Sequence, residues 1–273
     1  MHKIAVLSDI HGNLPALHAV LAEVEAEGVD LAVLNGDLAD GPFPAETLAR
    51  LEALGEGAVW LRGNGDRGLA EAWDGRFAHP DPQVQEMTRW AARQLTAAQC
   101  RRLGDLPLVF TGALPGLGEF AICHATARHD NEMFLADATA SDVAAAFGDL
   151  AARVIVVGHS HMPFDLSFER EPVEREQIGR RQVGRQRLVN TGSVGMPYGH
   201  DGASWLLLGG PAGIEGRRTR YDLEAAATLI RQSGMPGAAS FAENNVLKPP
   251  GAEEARQAFT RTRARQQRSG CFD

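Results

Sequence analysis

The sequence has few cysteines and no long hydrophobic run. Its 273 residues contain three cysteines, Cys100, Cys123 and Cys271. Their odd number and wide spacing fit neither a disulfide framework nor a C-x-x-C zinc or redox site. The N-terminal apolar run from Ile4 to Leu7 is shorter than the roughly 7–15 residues of a signal-peptide core, and later runs are far shorter than the ~20 residues that span a bilayer. We therefore expect a cytoplasmic protein with reduced cysteines and no membrane partner.

Positive charge is also scarce. The chain carries 27 Lys and Arg against 35 Asp and Glu, a formal net charge of −8, and its only lysines are Lys3 and Lys248. Such a chain has no overall basic field to attract nucleic acid, so we do not expect a nucleic-acid partner. Any small phosphate-containing substrate must be attracted locally. The 44% hydrophobic and 23% charged residues are ordinary for a globular protein and exclude a disordered or fibrous chain.

The first 65 residues alternate between strand-like and helix-like segments. Short apolar runs, typical of strands buried on both faces, occur at 4–7, 31–34 and 58–61. Between the first two runs, Asn13 can cap a helix that ends at Gly28, and a second helix is predicted near Pro44–Leu54. This order predicts a βαβαβ unit with a largely parallel sheet, and hence an α/β fold.

The later pattern is less regular. We predict a loop over 74–82, a helix over Gln83–Cys100 with four inward-facing residues, and a mobile loop over 170–185. The inward-facing residues of that helix are Val84, Met87, Trp90 and Leu95. Strands are predicted at Phe120–Cys123, Arg153–Val157, Phe164–Phe168, Arg187–Val189, Ser204–Leu208 and Gly213–Tyr221, before a helix at Leu223–Gln232.

The composition changes after residue 233. Residues 234–251 contain three prolines and several small residues, which is typical of a linker, and an arginine-rich stretch follows. We therefore predict a main domain over 1–233 and a linker with a C-terminal tail over 234–273. The tail is interpreted as a solvated helix or frayed end, with a lid or a contact in a homo-oligomer as the alternative.

Polar residues follow almost every predicted strand. Ligand sites in α/β sheets lie at the carboxyl ends of strands, so we expect these side chains to lie together. Two carboxylates, one amide and four imidazoles suit two divalent transition-metal ions (Mn, Fe, Co, Ni or Zn), whereas Ca²⁺ or Mg²⁺ favours oxygen ligands alone. The predicted metal ligands are Asp9, His11, Asp37, Asn64, His124, His159 and His161.

The order of these fragments, D-x-H, G-D, G-N-x-D, H and G-H-x-H, resembles the signature of the calcineurin-like binuclear metallophosphoesterases. The resemblance covers roughly residues 3–222. The stretch Asn190–Gly195 is also similar to the N-P-G-S-V-G segment of the small bacterial phosphodiesterase branch. The resemblance implies a four-layer α/β/β/α sandwich of two mixed sheets, with the metals at the strand ends.

The resemblance also implies a role for each ligand. One ion would be held by Asp9, His11, Asp37 and His161, and the other by Asp37, Asn64, His124 and His159, so that Asp37 bridges the two. A hydroxide between the ions would attack phosphorus, with Asp37, Asn64 and His124 as catalytic residues and Mn²⁺ as the ion best suited to support activity.

One position departs from the family pattern. In the phosphatase branches the third residue of G-N-x-D is a histidine, which contacts phosphate, and its partner is an aspartate. Here the histidine is replaced by Gly65, which leaves Asp40 as a catalytic candidate without its partner. A positioned acid contributes about 10²–10⁴-fold to such reactions, so substrates with good leaving groups are favoured. We therefore expect phosphodiesters or nucleotide-type phosphoanhydrides as substrates.

Several neighbours offer compensating groups. Arg67 and Arg128 suit phosphate oxygens, and His129 could supply an acid, but pairing with a nearby carboxylate explains an arginine equally well. Asp66 is expected to support the ligands rather than to bind metal. Asn190 and Ser193 could shape the floor of the pocket or belong to a plain glycine-rich turn.

Other functions remain open at this point. The same metal site would serve a phosphomonoesterase or a protein phosphatase. A nuclease is disfavoured by the acidic balance. A non-catalytic binding protein on this fold would be expected to have lost ligands, whereas all seven are present here. Neither the physiological substrate nor the native metal follows from the sequence.

Overall fold

The short apolar runs form the strands of two sheets in the computed structural model, which describes residues 1–148, 150, 152–170 and 184–272. The strands are β1 (Lys3–Leu7), β2 (Leu31–Asn35), β3 (Ala58–Leu61), β4 (Val109–Leu114), β5 (Gly118–Cys123), β6 (Val154–Val157), β7 (Phe164–Arg170), β8 (Gly184–Asn190), β9 (Ala203–Gly209) and β10 (Ile214–Thr219). The helices are α1 (Leu14–Glu27), α2 (Pro44–Glu52), α3 (Asn64–Trp73), α4 (Pro82–Arg93), α5 (Ala97–Gly104), α6 (Ala140–Phe147), α7 (Leu223–Arg231), α8 (Ala238–Phe241) and α9 (Ala252–Ser269). A 3₁₀ turn at Gly55–Gly57 and a π-helical turn at Ala242–Leu247 complete the regular structure of the described residues.

The first sheet has the order β10-β9-β1-β2-β3. Strands β1, β2 and β3 are parallel, as the βαβαβ prediction requires, whereas β9 runs antiparallel to both β1 and β10. Helix α1 begins where the Asn13 side chain accepts a hydrogen bond from Ala16 N, and it ends at Gly28 with a φ of 60°. Glycine suits this left-handed position because it has no Cβ. Both predicted ends of this helix are confirmed.

The second sheet has the order β4-β5-β6-β8-β7. Strands β5, β6 and β8 are parallel, and the edge strands β4 and β7 are antiparallel to their neighbours. The loop predicted over 170–185 lies mostly outside the described residues. The strands on either side of it pair with each other, which agrees with a hairpin.

The buried side chains divide into layers that confirm the predicted sandwich. Leu17 of α1 packs with Leu7 of β1 on the outer face of the first sheet. Val6 of β1 and Val156 of β6 meet between the two sheets, and Phe147 of α6 packs on the outer face of the second sheet. The fold is therefore helices, sheet, sheet and helices. No described helix is long and apolar enough to cross a membrane.

The single helix predicted over Gln83–Cys100 is wrong, because the structure has two helices there. Helix α4 ends at Arg93, and α5 begins after Thr96, whose side chain accepts a hydrogen bond from Gln99 N while the Gln99 side chain accepts one from Thr96 N. This reciprocal capping starts a new helix. Val84, predicted to face inward, is 36% exposed. Strand β4 and helices α3 and α6 were not predicted.

The segment predicted as a linker is folded. Helix α8 and the π-helical turn occupy most of residues 234–251, and Met235, Phe241 and Val246 are buried against Ile230 of α7. The buried apolar side chains at helical spacing outweigh the prolines at the segment's ends; they are Ala238, Phe241, Ala242 and Val246. The tail predicted after it forms helix α9. The division of the chain at residue 233 stays a prediction.

Candidate metal centre

The carboxyl ends of strands from both sheets meet at one place and bring the predicted ligands together. The loops after β1, β2 and β3 supply three oxygen ligands and one histidine, and the loops after β5 and β6 supply the other histidines. Three-residue groups with ligand atoms close enough to share one ion are Asp9, His11 and His161; Asp37, His124 and His159; and His11, Asp37 and Asp40. The first group contains three of the four residues predicted for one ion, and the second contains three of the four predicted for the other.

The backbone at this site is strained. Among the described residues, the non-glycine positions with positive φ, between 47° and 63°, are Asp9, His11, Asp37, His159 and His161. This region is uncommon for residues with a side chain and costs energy, and such residues cluster at functional sites. All five are predicted ligands.

The first group surrounds the carboxylate of Asp9. Its Oδ1 lies 3.2 Å from His161 Nε2 and 3.9 Å from His11 Nε2, and the two imidazole nitrogens are 3.1 Å apart. Two ring nitrogens that face each other at this distance need a shared proton or a shared cation. The geometry fits a cation, because a carboxylate oxygen points to the same place.

The second group is built around Asp37. Its Oδ2 lies 3.5 Å from His124 Nε2, which is itself 3.2 Å from Asn64 Oδ1. The same Asp37 oxygen lies 3.7 Å from His11 Nε2 in the first group. Asp37 therefore sits between the two groups, in the position expected of a bridging carboxylate.

Hydrogen bonds on the far side of three rings fix their direction. Nδ1 of His11 bonds the Asp40 carboxylate at 3.1 Å, Nδ1 of His124 donates to the Asn35 carbonyl at 2.8 Å, and Nδ1 of His161 donates to the Met196 carbonyl at 2.9 Å. Each ring then directs its Nε2 inward, where that nitrogen can bind a metal ion once its proton is lost. This arrangement is general for histidines that bind metals, because the outer partner sets the tautomer.

Two buried polar atoms at the centre lack a hydrogen-bond partner among the described residues. They are Asp9 Oδ1 and His159 Nε2, both on predicted ligands. A buried polar atom without a partner costs about 1–3 kcal/mol. The other Asp9 oxygen is satisfied by Ser8 Oγ at 2.5 Å and by the backbone N–H of His159 at 3.0 Å. The orphaned atoms fit a site that is completed by a cation.

The charges of the ligand set are strongly coupled. Burial alone would raise the pKa of Asp9, but His124 and His161 bring it to about 2, and His124 likewise lowers the pKa of Asp37. Burial would lower the pKa of His124, yet Asp37 and Asp9 raise it to about 10. The pKa of His11 rises to about 9, against burial, mainly through Asp40. Burial and the charge of His124 lower the pKa of His159 to about 4. In the protein without metal, the protonated imidazoles of His11 and His124 therefore balance the negative charges of the two carboxylates.

Asp40 is not an aspartate left without a partner, as the sequence comparison with the phosphatase pattern implied. Both its oxygens lie 3.1 Å from His11 Nδ1, so it supports a predicted ligand. Its carboxylate also occupies the space above Gly65, where a Cβ would lie 2.3 Å from Asp40 Oδ2. Asp40 can therefore take this position because residue 65 is a glycine and not the histidine of the phosphatase pattern.

Asp66 has the supporting role predicted for it. Its carboxylate accepts hydrogen bonds from the backbone N–H groups of Asp37 at 2.8 Å, Gly63 at 2.9 Å and Leu38 at 3.1 Å. Burial and the nearby Asp37 charge raise its pKa to about 8. Asp66 thereby ties the loop after β3 to the loop after β2.

The two arginines singled out in the sequence are paired with carboxylates. Arg128, predicted as a catalytic residue, donates from Nε and Nη2 to the Glu132 carboxylate at 2.8 and 2.5 Å. Arg67 contacts the buried Asp130 at 3.1 Å and Glu71 at 3.3 Å. These pairs favour the structural alternative. The catalytic role of Arg128 stays a prediction without geometric support.

The glycine-rich segment that begins at the end of β8 contacts two of the loops that form the site. Asn190 Nδ2 donates to the Gly158 carbonyl at 2.6 Å, and Ser193 Oγ donates to the Asp9 carbonyl at 2.8 Å. Both side chains hold the loops that carry ligands. Sequence reasoning missed Ser8 and Tyr198, whose ring stacks on His161 at 4.9 Å. Their contacts join distant parts of the chain, and no local pattern signals them.

The family model described as the calcineurin-like phosphoesterase superfamily domain matches residues 2–209. The chain belongs to this superfamily. The match includes every strand that carries a predicted ligand, and it confirms the resemblance found in the sequence.

Related proteins extend the similarity beyond the matched domain. Uncharacterized protein MJ0912 of Methanocaldococcus jannaschii is 29% identical over 238 residues, covering 85% of this chain and 93% of the relative. The metallophosphoesterase from Sphaerobacter thermophilus has a TM-score of 0.67 at 23% identity, covering 90% of this chain and 99% of its own. Hypothetical protein PH1004 from Pyrococcus horikoshii has a TM-score of 0.71 at 19% identity, covering 89% and 98%. These two structures share the fold of this member of the superfamily.

Proposed function

We propose that this protein is a binuclear metal-dependent phosphoesterase that hydrolyses phosphodiesters or nucleotide-type phosphoanhydrides. The observation that carries the proposal is the position of Asp37 Oδ2, 3.5 Å from His124 Nε2 in one ligand group and 3.7 Å from His11 Nε2 in the other. One carboxylate oxygen that faces two groups of buried ligands is the arrangement a two-ion site requires.

The residues divide between two ions. Asp9, His11, Asp37 and His161 would hold one, and Asp37, Asn64, His124 and His159 the other. When bound, two such ions would supply positive charge for the phosphoryl oxygens and would lower the pKa of a nearby water. Mn²⁺ is the ion we expect to support activity, because mixed imidazole and carboxylate ligands suit borderline divalent metals.

The protein's own residues hold this site in place and set its charge. Asp9 and Asp37 carry two negative charges, so two dications leave a net charge of about +2 to attract an anionic substrate. This local positive charge would attract the substrate although the chain as a whole has a formal net charge of −8. Asp40, Asn35 and Met196 fix the imidazoles, and the strained loops fix their backbone, so little reorganisation is needed when substrate binds.

The surroundings of Gly65 favour diesters over monoesters. A leaving alkoxide of a monoester needs a proton from a positioned acid, and the position where the phosphatase pattern has histidine is here a glycine capped by the Asp40 carboxylate. Diesters and anhydrides with good leaving groups depend less on that acid. A phosphomonoesterase or protein phosphatase remains the second candidate, because the metal ligands would serve it equally.

A paired hydrolysis assay tests the proposal. Protein stripped of metal and restored with Mn²⁺ is offered a bis-aryl phosphodiester and the matching aryl monoester between pH 6 and 9. We expect metal-dependent turnover that favours the diester and is abolished in Asp37→Asn. Strong monoester turnover would favour the second candidate. Full activity of Asp37→Asn would refute the site, and a protein that binds no metal would favour a binding protein on this fold.

The cytoplasmic location predicted from the sequence is part of the same proposal. Cys100 and Cys123 are buried and free, and Cys271 is exposed and free. Free thiols are typical of a reducing compartment. A homo-oligomer remains a prediction.

A further inference from the structure

Two aromatic side chains lie beside the first ligand group and outside the hydrophobic core. Tyr198, in the loop after β8, and Phe259, on α9, are both half-buried. Neither belongs to the clusters of buried hydrophobic side chains found among the described residues, whereas Phe120, Phe147 and Phe241 all do. Core packing therefore does not account for the position of these two rings.

The two rings continue from the imidazole of a predicted ligand. The Tyr198 ring centroid lies 4.9 Å from that of His161, with the planes 26° apart. The Phe259 centroid lies 6.0 Å from that of Tyr198 and 6.5 Å from that of His161. The three rings form an aromatic wall at one edge of the metal centre.

Helix α9 is held at both ends, which fixes Phe259 in place. Just before the helix, the Pro250 carbonyl accepts a hydrogen bond from Gly199 N at 2.9 Å. Near its end, the buried Gln266 accepts from Met133 N at 2.9 Å and donates to the Asn131 carbonyl at 2.6 Å. Over 18 residues, or about 27 Å, the helix thus connects the loop after β8 with the loop after β5.

We infer that Tyr198 and Phe259 bind the flat base of a single nucleotide-type substrate whose phosphate lies at the metal centre. Aromatic side chains bind bases of any sequence by stacking on their faces. The wall starts at a metal ligand, so a base joined to its phosphate by one sugar lies within its reach. The net charge of −8 disfavours a long nucleic acid and favours a single nucleotide unit. This inference rests on the proposed function and specifies its substrate class.

Isothermal titration of the full-length protein loaded with Mn²⁺ tests the inference. The probes are adenosine 5′-monophosphate and ribose 5-phosphate, which share a phosphate and sugar and differ in the base. Both are monoesters, which the proposed function makes poor substrates. We expect the nucleotide to bind about 5- to 150-fold more tightly, the range of one stacked base. Phe259→Leu and Tyr198→Leu should lose most of that preference without weakening ribose 5-phosphate, whereas Tyr198→Phe should keep it.

Control measurements distinguish failure of the base-binding site from failure of the proposed function. Phe77→Leu removes a ring that stacks on His79 instead, and it should leave both affinities unchanged. Equal affinity of the wild type for the two probes would overturn the base site and leave the proposed function standing. Variants at Tyr198 or Phe259 that also lose bound Mn²⁺ or ribose 5-phosphate would show that the rings only support His161. A wild type that binds neither probe would overturn the inference, whereas the proposed function would still be decided by the hydrolysis assay described above.

Discussion

Replacing Asp40 by alanine should weaken one metal site and spare the other. The Asp40 carboxylate is the outer partner of His11, with both oxygens 3.1 Å from Nδ1. Without it the imidazole loses the bond that fixes its tautomer and direction, and its pKa falls because Asp40 is the main cause that raises it. No comparable contact joins Asp40 to His124, so we expect the second ligand group to be nearly unaffected.

The size of the effect follows from the role of such partners. Loss of an outer hydrogen-bond partner of a metal-binding histidine typically costs 10–100-fold in affinity, or about 1.4–2.7 kcal/mol. Asp40→Asn keeps one oxygen that can accept from Nδ1, so its loss should lie at or below the lower end of that range. The ratio between the metal affinities of the two sites should therefore change by at least tenfold in Asp40→Ala relative to the wild type.

Calorimetric titration of metal-stripped protein with Mn²⁺, fitted to two sites, measures the two affinities. The matched control is Asp74→Ala, which removes a carboxylate from an exposed pair with Arg76 at 2.9 Å. The control should leave both affinities unchanged. Equal weakening of both sites in Asp40→Ala, or none in either, would refute the assignment of Asp40 to His11 alone.

Three further predictions concern the same loops. A side chain at residue 65 would displace Asp40, so Gly65→His should lower metal affinity at the His11 site by about tenfold, and an unchanged affinity would show that Asp40 moves freely. Asp66→Ala leaves three buried N–H groups without an acceptor, so urea denaturation should show a loss of about 3 kcal/mol, and a loss under 1 kcal/mol would contradict the bonding described. His11 and His124, with pKa values raised to about 9 and 10, stay protonated at pH 7, and each ion must displace a proton. Metal affinity should then rise about tenfold per pH unit for each proton released between pH 6.5 and 8.5. Calorimetry in buffers of different ionisation enthalpy measures the protons released on binding, and a release of none would contradict this prediction.

The ligands were predictable because their signals are local. Each predicted ligand lies within four residues of the end of an apolar run, and the parallel β1, β2 and β3 follow from the alternation of strands and helices. Glu132 lies only four residues after Arg128, so their pairing is local, and the sequence left such a pairing open as the alternative. The contact of Arg67 with Asp130 was not predictable, because a loop whose course depends on tertiary packing supplies that carboxylate. The same holds for Phe259, which reaches the site only because α9 is anchored at both ends.

The details of helices were harder to predict than the strand ends. The apolar spacing over Gln83–Cys100 continues across the break, so periodicity alone predicts one helix, whereas the capping pair at Thr96 and Gln99 divides it. Proline content outweighed the apolar spacing in the interpretation of residues 234–251 as a linker. Asp40 was recognised from its spacing after Asp37, but its contact with His11 depends on the absence of a Cβ at residue 65.

The order of strands in the first sheet has a consequence for how the chain folds. Strand β1 lies between β2, which follows it closely, and β9, which is almost two hundred residues away in sequence. Pairings of such large sequence separation carry a high loop-closure cost and slow folding. During synthesis, strand β1 gains its second neighbour only after the whole second sheet has been made. The nascent chain can therefore form its first parallel strands early, but it cannot complete the sheet that carries the site until β9 and β10 have been made.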